Sequence, residues 1–100
     1  MVLIVALTLL HGTVRIGPTT PVCRAGTPCD RPAARVVLTF THRATHVRVK
    51  TDAKGRYRIS LRPGAWTVRA SVGMRITPAR LIVPRTATAT RNFTIDTGIR

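Results

Sequence analysis

Glutamate is missing from this chain, and aspartate occurs only at Asp30, Asp52 and Asp96. A peptidase zinc centre bridged by glutamate is thereby excluded. Cysteine is limited to Cys23 and Cys29, and no second Cys/His pair follows at zinc-ligand spacing, which argues against a metal site. Serine is sparse, and neither Ser60 nor Ser71 lies in a nucleophile motif. No apolar run approaches the ~20 residues that span a bilayer; the longest, Val2 to Leu10, is broken by Thr8. Beyond Leu10 no segment combines a helical period with capping signals. No cofactor is implied, and no catalytic constellation is visible.

What remains is basic and apolar. Seventeen Lys and Arg against three acids give a formal charge of +14, and apolar residues make up 44% of 100 residues. That length fits one domain with a modest core, and the apolar share argues against disorder. All the cations except Lys50 and Lys54 are arginine, a bias that GC-rich coding can also produce. Such a charge attracts polyanions and anionic surfaces. Each aspartate stands beside a Gly or Pro turn signal, so turn formation plus an arginine contact is its expected role.

The pattern is that of short strands. Tyr57, Ile59 and Leu61 alternate with Arg56, Arg58, Ser60 and Arg62; Trp66, Val68 and Ala70 alternate with Thr67, Arg69 and Ser71. Turn chemistry at Asp52–Gly55 and Pro63–Gly64 separates them. Val36, Leu38 and Phe40 share a phase, a hairpin turn is expected over His42 to Thr45, and Val47 and Val49 alternate with Arg48 and Lys50. Gly12 to Ile16, Leu81 to Val83, and Phe93 with Ile95 complete about seven strands, an all-β antiparallel β-sandwich. Gly73 to Ala79 reads as a polar connection and Thr86 to Thr90 as a bend or edge.

Residues 1–10 form an apolar leader, read as a signal-peptide remnant in preference to an edge segment, although no basic residues precede it and no cleavage site follows. With export, Cys23 and Cys29 read as a disulfide closing a small Pro/Gly-rich ring worth roughly 2 kcal/mol; without it, as free thiols.

The run Thr51-Asp52-Ala53-x-Gly55-x-Tyr57, followed by Leu61-x-Pro63-Gly64-x-Trp66-Thr67-Val68, resembles the signature of carboxypeptidase regulatory-like domains, with Trp66 where the family has tyrosine. Gly12-Thr-Val and the ending from Phe93 to Arg100 are similar to a secreted bacterial subgroup. The resemblance covers residues 11–100. It implies a prealbumin-like Greek-key sandwich acting as a non-enzymatic structural or adhesive accessory, secreted or envelope-associated. Transthyretin-like hydrolases end in Tyr-Arg-Gly-Ser, whereas this chain ends Thr97-Gly98-Ile99-Arg100.

Two clusters can carry function. His42 and His46 would share a face if their hairpin were extended, giving a weak metal pair; exposed turn residues are the plainer reading. Arg48, Lys50, Arg56, Arg58, Arg62 and Arg69 occupy the polar phase of three successive strands. Paired as a meander, those strands would gather the cations on one sheet face. Partners of such a face are anionic wall polymers, anionic membrane surfaces, an acidic protein, or nucleic acid bound nonspecifically as a polyanion; a solvated, composition-driven face is the plainer alternative. Phe40, Tyr57, Trp66 and Phe93 all fall in apolar phases and leave no outward ring for stacking on a base. Sequence-specific nucleic-acid reading and a small-molecule substrate are therefore not expected, and any nucleic-acid binding would be phosphate-driven and salt-dependent.

Overall fold

The computed structural model describes residues 7–18 and 30–98. They form ten strands: β1 (Thr8–Gly17), β2 (Arg31–Pro32), β3 (Val37–His42), β4 (Thr45–Lys50), β5 (Arg56–Leu61), β6 (Gly64–Ala70), β7 (Arg75–Thr77), β8 (Arg80–Val83), β9 (Thr88–Thr90) and β10 (Phe93–Asp96). No helix occurs among these residues. Two sheets face each other as a β-sandwich, one six-stranded and built around β1, the other four-stranded in the order β4-β3-β6-β8.

Alternation explains the layers. Leu10, Val14 and Ile16 of β1 point inward, as do Tyr57, Ile59 and Leu61 of β5 and Phe93 and Ile95 of β10. Leu38 and Phe40, Trp66 and Val68, and Leu81 and Val83 meet them from the four-stranded sheet. Phe40 reaches across the interior to Tyr57 and Phe93, with ring centroids 6.1 Å from each. Full burial of such a side chain stabilises by roughly 1.5–3 kcal/mol, so this trio is the main clamp between layers.

Strand β1 pairs along both edges: antiparallel with β5 and β2, parallel with β9 and β10. Thr8, Leu9 and Leu10, at the end of the apolar run, therefore belong to the middle of a sheet. Thr8 is buried because its hydroxyl lies against the carbonyls of Pro84 and Thr86. Gly12 permits a close approach, since any Cβ there would collide with the Arg91 carbonyl.

Two expectations change. The polar connection from Gly73 to Ala79 contains β7, antiparallel to β10, while the Thr/Ala run, expected as a bend or edge, forms the edge strand β9 beside β1. Both are short strands whose pairing comes from distant segments, so their own pattern is weak. The meander from β4 to β6 does not form: β5 joins β1, while β4 and β6 lie on either side of β3. Cys23 and Cys29 lie outside the described residues.

Candidate functional site

The cations of the presumed single face are divided by the crossing of β5. Arg48 and Lys50 of β4 and Arg69 of β6 project from the outer surface of the four-stranded sheet, in the phase opposite to Leu38, Phe40 and Val68. Arg56 and Arg58 project from the outer surface of the other sheet, opposite Thr13 and His11 of β1. Arg62 falls in the exposed turn between β5 and β6, where its carbonyl accepts the Trp66 indole N–H at 2.9 Å. Sequence phase was right about outwardness and could not reveal which sheet each strand would join.

The register of the four-stranded sheet arranges its outer face. Thr39 is flanked by Arg48 on one side and Arg69 on the other. In the next row run His46, Thr41, Thr67 and Arg80. Arg80, on β8, was missed because the run around it was read only for its apolar residues; its place opposite Thr67 depends on pairing between separate segments. Thr39 stands between Arg48 and Arg69, so these two like charges, two strands apart, are roughly 9.5 Å from each other. Direct cross-strand repulsion, which destabilises facing pairs, is thereby avoided. His46 is tied to Thr41, Nδ1 to Oγ1 at 3.0 Å.

None of the three acidic side chains reaches this surface. Asp30 pairs with Arg15 of β1 at 2.7 Å. Asp52 closes the turn between β4 and β5: its Oδ1 accepts the backbone N–H groups of Lys54 and Arg56, both at 2.8 Å, and its Oδ2 meets Arg56 Nε at 3.3 Å. Asp96 accepts the Gly98 N–H at 2.8 Å and stands opposite Arg75 in the β10–β7 register. The expected turn-plus-arginine role holds in full for Asp52; Asp30 shows the arginine contact and Asp96 the turn bond. The Arg15 guanidinium holds Asp30 below the usual carboxylate range, and the Arg56 and Lys54 amides do the same for Asp52.

A second basic region is partly neutralised. Lys50, at the end of β4, borders an open hollow of about 900 Å³ together with Arg56, Arg58 and His11. Asp52 also borders it, and Arg56 is already engaged there. His11 contacts Thr90.

The histidine pair is corrected. Thr41 and His46 share one side of the hairpin, whereas His42 follows the inward phase and rests on Trp66, ring centroids 5.3 Å apart. Its Nδ1 lies 2.7 Å from the Ala65 carbonyl. Two rings on opposite faces of one hairpin cannot hold a common ion. Among the described residues no three His, Cys, Asp or Glu side chains converge. Tyr57, its phenol pushed well above its ordinary pKa by burial, donates to the Arg91 carbonyl at 2.6 Å and is a structural strut.

No family model matches the chain, and neither characterised proteins nor solved structures yield a match.

Proposed function

We propose that this chain is a non-enzymatic interaction module, secreted or surface-associated and of the carboxypeptidase regulatory-like kind, that binds a flexible anionic envelope polymer. Its contact surface is the outer face of β4-β3-β6-β8. The observation that carries this reading is the segregation of charge: Arg48, Arg69 and Arg80 share a surface with no acidic side chain, Lys50 stands at its margin towards Asp52, and the aspartates are engaged off this face. Small hydroxyls at Thr39, Thr41 and Thr67 separate the cations and leave room for a chain to lie flat.

Shape favours a flexible polymer over duplex DNA. A major groove admits a helix or a two-stranded ribbon, not the broad face of a four-stranded sheet. Outward aromatic rings, which hold single-stranded bases, are lacking on this face; Phe40 and Trp66 point into the core. The motif from Thr51 to Val68 supports the accessory-module part of the proposal.

Titration against a teichoic-acid-type wall polymer and against duplex DNA, each at two salt concentrations, tests it. The wall polymer is expected to bind more tightly at equal phosphate, with affinity falling as salt rises. Equal, weak binding to both, abolished by salt, would leave a nonspecific polycation and defeat the proposal.

A further inference from the structure

Beside the basic face lie exposed apolar side chains that a polymer contact leaves unused. Among the described residues exposed large apolar side chains are few, and three of the four, Val72, Met74 and Ile82, border the edge of the sheet formed by β6 and β8; the fourth is Leu7. Val72 and Met74, 44% and 74% exposed, flank Gly73 at the tip of the β6–β7 connection. Gly73 turns the chain there with φ +83°.

The cause is topological. Strand β8 pairs with β6 only as far as Thr67, and the chain between β7 and β8 crosses from one sheet to the other. The far end of β6 is left beside an open hollow of about 510 Å³. Arg69, Arg75 and Arg80 line it, together with Val72 and Met74. Asp96 lies nearby, opposite Arg75 and bonded to the Gly98 amide. Ile82, 63% exposed, marks the other end of the same edge, opposite Ala65. Along this margin the order is apolar, cationic, cationic, apolar.

We infer that this margin docks on an anionic lipid bilayer, with Arg69 and Arg80 at headgroup phosphates and Val72, Met74 and Ile82 dipping toward the acyl boundary. The inference goes beyond the polymer reading above and rests on the part they share, anion binding by Arg69 and Arg80. A protein partner would be met by the reverse arrangement, since protein interfaces bury apolar residues centrally and keep charge at the rim. Peripheral membrane binding instead adds apolar insertion to attraction between cations and anionic lipid.

The test is cosedimentation with vesicles of phosphatidylcholine alone and of phosphatidylcholine mixed with phosphatidylglycerol, alongside titration with soluble polyphosphate. Binding is expected only to the mixed vesicles. The double variant V72S/M74S should lose on the order of tenfold in vesicle partitioning, from lost apolar burial, and keep its polyphosphate affinity. R69Q and R80Q should each weaken vesicle binding about fivefold and weaken polyphosphate binding as well. Vesicle binding unchanged in V72S/M74S overturns the inference, as does polyphosphate binding without vesicle binding, which assigns the face to a soluble polymer. Binding to neither probe removes the anionic-surface reading itself.

Discussion

At the scale of single residues, turn chemistry is the most exposed to test. Arg43 closes the β3–β4 hairpin at φ 54°, where a side chain is strained. Arg43→Gly should stabilise by about 0.5–1 kcal/mol once the flexibility of glycine in the unfolded chain is counted. In a melting experiment that is a rise of about 4 °C; a lower Tm would refute the strain argument. Asp52 makes a second case. Its pKa is lowered in the folded state, so the stability it confers is present above the unfolded value near about 3.9 and is lost as pH falls through the folded value. Denaturation followed from neutral to acid pH should be flat until that point and then decline, and Asp52→Asn should flatten the decline. Tyr57 sets the opposite limit. Its pKa is raised by burial, so the unfolded chain ionises first above about pH 10 and stability should fall from there upward.

Among the strands, β1 and β3 organise everything else. Phe40 of β3 is fully buried and contacts rings from both β5 and β10. Phe40→Ala is expected to cost about 3–5 kcal/mol, much of the stability of a domain this size, and to lower the urea midpoint accordingly; a change under about 1 kcal/mol would mean the two sheets are not clamped there. In β1, Gly12→Ala should destabilise by about 1–3 kcal/mol, because a methyl would strike the Arg91 backbone.

The strand interiors were readable in advance. Tyr57-Ile59-Leu61 and Trp66-Val68 alternate strictly, and each buried as its phase required. Strand β7 was not readable, and β9 only as a bend or edge. Three residues carry almost no period, and what makes Arg75–Thr77 a strand is β10, which lies far along the chain. The start of β1 was ambiguous for another reason: an apolar run that pairs on both edges in a sandwich looks the same as the apolar stretch of a leader.

For the molecule as a whole, the candidate site was half legible. Arg48, Lys50 and Arg69 were identified by phase alone, since outward direction is local. Which sheet receives a strand is not local. The passage of β5 to the far layer removed Arg56 and Arg58 from the face, and the pairing of β8 with β6 brought in Arg80. The resulting separation of charge, with Arg48, Arg69 and Arg80 on one surface and the acids committed elsewhere, exists only in the folded chain.

Backbone amide shifts recorded during addition of a soluble polyphosphate test that separation directly. The account predicts changes concentrated on β3, β4, β6 and β8, around Thr39, Thr41, Arg48 and Arg69. Changes centred instead on β5 and β1, around Arg58 and His11, or spread evenly over both sheets, would contradict it.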